Sequence, residues 1–251
     1  MASWLRQSFE RTFLHNPLGD RIRRGGGPAR LRDVMNRYIT GETRQIKRAR
    51  QARALAETVE FIEANLSQAR SHDSAFDVLR DGVRAAAAVP GLYLEFGVRG
   101  GFTINWIARQ TSQTVYGFDS FEGLPEDWTS EHRRGAFRVK GLPSVRENVS
   151  LVRGLFDQSI PQFLLEHPEP LAFMHIDSDL YSSAVTVLNL FAKRIQPGTV
   201  IVFDEFFNYP GWKDGEYKAF MEFISAHPAK FEYIGYCHFG EQVALRLTAI
   251  A

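Results

Sequence analysis

The chain has 251 residues, 44% of them hydrophobic and 24% charged, with a net charge of +1, which suits one globular domain with an N-terminal extension. No apolar run reaches the ~18 residues of a membrane helix. The opening MASWLRQSFERTF lacks the apolar core and cleavage site of a secretory signal, and the single cysteine, Cys237, excludes an internal disulfide, so a reducing cytoplasm is the expected compartment.

In chain order, Trp4, Leu5, Phe9 and Phe13 fall at near-helical spacing and predict a short amphipathic helix. RRGGGP at 23–28 marks a linker. Residues 1–53 hold thirteen Lys/Arg against four Asp/Glu, a net +9 that leaves −8 for residues 54–251. Such an arm suits an anionic partner or is simply a solvated face. Helical patterns follow at 42–70 and 74–88. Residues 1–70 are therefore read as a basic helical extension, for oligomer contact or as an active-site cover, and 71–251 as the main domain.

Strand-like runs then appear at 92–98, 114–119, 149–154, 171–177, 199–206, 231–236 and 242–247. Helical patterns at 102–110, 157–166 and 181–195 separate the first five, and another lies at 214–226. The polar stretch 121–148 reads as a loop. Strands alternating with helices predict a parallel sheet covered on both faces. Only Cys237–Glu241 separates the last two strands, so they must pair antiparallel. The expected fold is α/β and Rossmann-like: seven strands, mostly parallel with an antiparallel last strand, helices on both faces. This pattern is similar to that of class I methyltransferases.

The first strand of this domain ends LEFGVRGGFT, with Glu95, Gly97 and Gly100 spaced E-x-G-x-x-G before a helix. Gly97 permits a tight turn, and Gly100 lets a ligand approach the backbone. A dinucleotide-binding turn has glycine where Glu95 stands. A carboxylate there repels a pyrophosphate but favours S-adenosylmethionine (SAM), whose ammonium and sulfonium are cationic. Asp119, with Ser120 after it, ends the second strand, where a carboxylate can accept both hydroxyls of a ribose. After the third strand, Gly154 allows close approach, and Leu155 and Phe156 could sandwich an adenine. Asp157 or Gln158 could reach the adenine amino group, or Asp157 caps the next helix.

The fourth strand ends HIDSDLY and the fifth FDEF, which brings Asp177, Asp179, Asp204 and Glu205 to the ligand-binding edge of the sheet. Four acids there repel one another, and a hard divalent cation resolves the conflict. An oxygen-only set favours Mg²⁺, or Mn²⁺ or Ca²⁺, over Zn²⁺, and Asp177, Asp204 and Glu205 are the expected ligands. The alternative is that these acids cap helices or pair with arginines. His175 and His238 are read as hydrogen-bonded histidines rather than bases. Phe206, Phe207, Tyr209 and Trp212 form an aromatic loop suited to stacking a sugar ring or covering the cofactor.

LEFGVRGG, GFDSFEGLP, HIDSDLY and the acid pair ending strand five resemble the macrocin and mycinamicin sugar O-methyltransferases over roughly residues 90–225. The resemblance implies SAM and Mg²⁺ as cofactors and methylation of a sugar hydroxyl on a natural product. It places Asp177, Asp204 and Glu205 at metal-binding positions and makes Asp177 the acid that assists deprotonation and faces the donor. Asp204-Glu205-Phe206 departs from the family's D-D-Y. Catechol O-methyltransferase has a similar architecture, but its lysine base corresponds here to Leu180. The expected acceptor is a small hydroxylated, sugar-like molecule, and the expected assembly a homodimer or larger homo-oligomer. A nucleic-acid methyltransferase using the basic arm is a weaker alternative, since no Asn/Asp-Pro-Pro-aromatic motif is present. A nicotinamide oxidoreductase and a non-catalytic SAM-binding or membrane-docked protein are the others.

Overall fold

The computed structural model describes residues 46–129 and 131–250. The expectations placed on the N-terminal helix and linker lie outside them. Residues Arg53–Ala251 form one compact unit; of the other, Met1–Ala52, the described residues are the opening turns of helix α1.

Eight strands form one sheet. Helix α1 (Ile46–Asn65) leads to β1 (Arg70–His72) and α2 (Ala75–Ala86). Then come β2 (Leu92–Phe96), α3 (Phe102–Arg109), β3 (Val115–Asp119), β4 (Val149–Arg153) and α4 (Phe156–Glu166). β5 (Leu171–Ile176), α5 (Tyr181–Phe191) and β6 (Val200–Phe203) follow, then α6 (Glu216–Ala226), β7 (Ala229–Cys237) and β8 (Val243–Ile250). The sheet order is β1-β7-β8-β6-β5-β2-β3-β4. β8 runs antiparallel to both neighbours, and the other pairings are parallel. The sheet thus has one strand more than the seven expected. The addition, β1, is three residues long and pairs with β7. Its sequence, Arg-Ser-His, has no strand pattern, so only the tertiary pairing makes it a strand.

Alternation along the strands builds two cores. Leu94, Phe96, Phe118, Ile176 and Phe203 face α4, α5 and α6, with Phe163, Phe191 and Phe220 packed among them. Tyr93, Val115, Phe173 and Val202 face α2 and α3, which contribute Val78, Leu79, Val83, Ile104 and Ile107. Apolar residues three and four apart create each helix's buried stripe. In α5 these are Ala184, Val187, Leu188 and Phe191. Ser74 caps α2, its side chain accepting the Phe76 N–H at 3.2 Å.

The chain runs β2-β3-β4 toward one side, then crosses back to place β5 on the other side of β2. The direction of winding reverses between β2 and β5. A parallel sheet opens a crevice at such a point, beyond the carboxyl ends of the strands.

Candidate active site

A cleft of about 660 Å³ opens at this reversal point. Gly97 and Arg99 after β2, Asp119 and Ser120 after β3, and Gly154 to Asp157 after β4 line one side. Asp177 to Asp179 after β5 and Asp204 and Glu205 after β6 line the other. Of the residues singled out in the sequence, Gly97, Asp119, Ser120, Gly154, Phe156, Asp157, Asp177, Asp204 and Glu205 therefore meet in one space. Glu95 and Gly100 do not line it.

The turn after β2 is fixed from two directions. Gly97 has φ +100°, and a Cβ there would stand 1.7 Å from the Asp177 carbonyl oxygen. The loops after β2 and β5 touch, with the Asp177 N–H donating to the Phe96 carbonyl at 2.9 Å. From the other side Asp119 accepts the N–H groups of Val98 at 2.9 Å, Arg99 at 2.6 Å and Phe121 at 2.7 Å. Its carboxylate holds the turn as well as facing the cleft. After β4, Leu155 rather than Asp157 is the N-cap of α4, and Asp157 sits exposed in the first turn.

Glu95 has a different neighbour from the cationic ligand expected of it. In register it lies opposite His175 of β5, and both are fully buried. His175 Nδ1 is 3.1 Å from Glu95 Oε1, and Nε2 is 3.7 Å from Asp204 Oδ1, an ion-pair distance. Burial alone would lower the histidine's pKa, but the Asp204 and Glu95 carboxylates raise it to about 10. A buried ionic chain thus runs Glu95–His175–Asp204 beneath the floor of the cleft.

Carboxylate oxygens of Asp177, Asp204 and Glu205, one from each, lie within 4.8 Å of one another. Burial, then the charge of Asp204, raises the Asp177 carboxyl well above the usual range. Burial, then Glu216 and Asp177, does the same to Glu205. Asp179, in a left-handed backbone conformation, is raised to about 6 by burial and then Asp204. Glu205 Oε2 is buried with no hydrogen-bond partner. An all-oxygen set with an unsatisfied buried carboxylate oxygen fits a hard divalent cation. A second grouping, Glu95, His175 and Asp177, is accounted for by the Glu95–His175 pair itself.

Two groups escaped the sequence reading. Glu216, fully buried in the first turn of α6, accepts the Ser178 N–H at 3.4 Å and the Glu205 N–H at 3.1 Å. Burial raises its pKa to about 8. An acid in a helix's first turn ordinarily answers the helix dipole, so the sequence held no signal for this contact. The stretch read only as a loop supplies Glu126, Trp128 and Phe137 to the wall. There Trp128, His132, Phe137 and Arg99 stack in succession, at 5.4, 5.1 and 4.7 Å. Conversely, Phe206, Phe207 and Trp212 are at most 2% exposed and pack around Phe61 of α1 and Tyr217. They are core, not a stacking surface or lid.

A 4'-O-methyltransferase of a rhamnosylated tetracenomycin, from Streptomyces olivaceus, is 30% identical over 147 residues, covering 48% of this chain and 55% of the relative. The chain thus spans about half the length of that curated relative. Among solved structures, the calicheamicin methyltransferase CalS11 superposes with a TM-score of 0.57 at 22% identity, covering 80% of this chain and 93% of the other. The O-methyltransferase NovP gives 0.55 at 22% identity, covering 69% and 79%. Residues 94–206, which span the turn after β2 through the acids after β6, match the family described as "Methyltransferase domain", and the chain has the Rossmann-like fold of class I methyltransferases.

Proposed function

We propose that this protein is a SAM- and Mg²⁺-dependent O-methyltransferase that methylates a hydroxyl of a sugar-like ring on a small molecule. The observation that carries the reading is the meeting of Asp177, Asp204 and Glu205 beside a cleft formed at the reversal point of the sheet. The Streptomyces relative, which acts on a rhamnosyl group, supports a sugar as acceptor.

When bound, SAM supplies a methyl activated by its sulfonium, and a divalent cation supplies charge that stabilises the acceptor oxygen. The protein's own groups bind, orient and move a proton. The Gly97 turn admits the donor close to the backbone. Asp119 would present its carboxylate to the ribose, with Leu155 and Phe156 flanking the adenine and Asp157 reaching its amino edge. Asp177, Asp204 and Glu205 would hold the cation. Asp177, ionised once a cation offsets the neighbouring charge of Asp204, would accept the proton of the acceptor hydroxyl at a carboxylate oxygen. Trp128, at the end of the stack, would offer its other ring face to the acceptor. The cleft would hold the acceptor oxygen against the donor's methyl, so that the oxygen–methyl bond forms as the sulfur–methyl bond breaks and S-adenosylhomocysteine leaves.

The test uses S-adenosylhomocysteine release with methyl α-L-rhamnoside as probe acceptor. Wild type turns over with Mg²⁺ and stops in EDTA. Asp204→Asn loses about 100-fold or more in turnover. Its affinity for S-adenosylhomocysteine, measured by calorimetry, stays within about twofold, because the contacts proposed for that ligand do not include residue 204. Full turnover by Asp204→Asn in EDTA removes the cation from the mechanism. Absence of S-adenosylhomocysteine binding to wild type removes the whole reading.

A further inference from the structure

We infer that Glu216 is a positioning residue that sets the spacing of the cation ligands by tying their two loops together. The inference rests on the cation-dependent reading above. Asp177 follows β5, and Asp204 and Glu205 follow β6, so the ligands belong to separate loops. Glu216 reaches both. Oε1 accepts the Ser178 N–H, one residue beyond Asp177, and Oε2 accepts the Glu205 N–H. Ser178 and Glu216 are 38 residues apart in sequence, so the contact exists only in the folded chain.

The chemistry of the side chain is specific to this task. Two backbone N–H groups need two acceptor oxygens, and a carboxyl group has them in either protonation state, since its hydroxyl oxygen also accepts. Glutamine has the same shape but one oxygen; its NH₂ would face one of the two N–H groups and leave it unsatisfied. Both Glu216 oxygens are turned to backbone N–H groups, so the residue supports the ligands from behind. Its setting makes a merely architectural role expensive. Glu216 has zero exposure, and Glu205 and Asp204 are near enough to act on it electrostatically. A fourth acid among three others opposes folding, and a divalent charge in the cluster offsets that opposition. Residues that orient metal ligands commonly change cation affinity about 10–100-fold when altered.

The experiment measures Mn²⁺ affinity by electron paramagnetic resonance, S-adenosylhomocysteine affinity by calorimetry, and the rise in melting temperature on adding Mn²⁺. In Glu216→Gln the Mn²⁺ dissociation constant rises about 10–100-fold and the Mn²⁺-induced melting shift shrinks. S-adenosylhomocysteine affinity stays within about twofold. Glu216→Asp keeps both oxygens and falls between wild type and Gln, and it serves if the Gln variant does not fold. Unchanged Mn²⁺ affinity in whichever variant folds overturns the positioning role while leaving the cation reading intact. A wild type that binds no Mn²⁺ overturns both.

Discussion

At residue 97 the backbone has a left-handed φ, and the space a side chain would fill is occupied by the Asp177 carbonyl. Gly97→Ala should cost about 3 kcal/mol or more of stability, from backbone strain plus the clash. Urea unfolding reads this as a lower midpoint at constant slope, and an unchanged midpoint contradicts the contact. The need for glycine at 97 was legible, since a strand-to-helix turn demands it. Its neighbour was not, because Asp177 lies 80 residues away and sequence spacing carries no register. Glu95 teaches the same lesson from the other side. Its residue type suggested a partner for a cation, and the cation turned out to be His175, across the β2–β5 ladder. Asp177, Asp204 and Glu205 were legible because each follows a strongly apolar strand, and strand tips of a parallel sheet converge on one edge.

Elements with a clear period were the easiest to read. The helices following β2, β4, β5 and β6 fall within a few residues of their expected spans, since each has an apolar stripe on a polar background. The connection between β6 and α6 was harder. Aromatic residues in a punctuated segment look the same whether they wall a cleft or fill a core. The neighbours decide it: Phe61 of α1 lies 6.2 Å from Phe206, 6.4 Å from Phe207 and 5.5 Å from Trp212, ring centre to ring centre. Phe206→Ala should therefore lower stability by about 3–5 kcal/mol, as truncations of buried aromatic residues do. Under conditions where the variant is folded, its KM for the acceptor should match wild type. A raised KM with undiminished stability would instead place Phe206 in the acceptor site.

For the molecule as a whole, the acids gathered at one edge make stability depend on pH. Glu241, in the turn between β7 and β8, has its carboxyl raised to about 7 by burial and then by Asp204 and Asp179. The folded pKa exceeds the unfolded value, so the native state holds this proton more tightly. Its contribution is complete below the unfolded pKa, about 4.3, and is lost as pH climbs through about 7. Glu241→Gln should flatten part of the fall in melting temperature between about pH 5 and pH 8 in metal-free buffer. An identical slope in both proteins would discount the group. The mostly parallel sheet with an antiparallel last strand was legible at this scale because strands alternating with helices admit few arrangements. The pairing of β1 was not, because three polar residues become a strand only when β7 is already there.

The histidine beneath the cleft floor adds one more consequence. With a pKa near 10 it keeps its proton at neutral pH, so the protein carries a resident positive charge behind its acids. Small zinc-organised domains collapse only once their ion arrives. Here an internal counter-charge, seated between Glu95 and Asp204, offsets part of the acids' repulsion from within the fold, so the cation proposed above would be an exchangeable guest rather than a condition of folding.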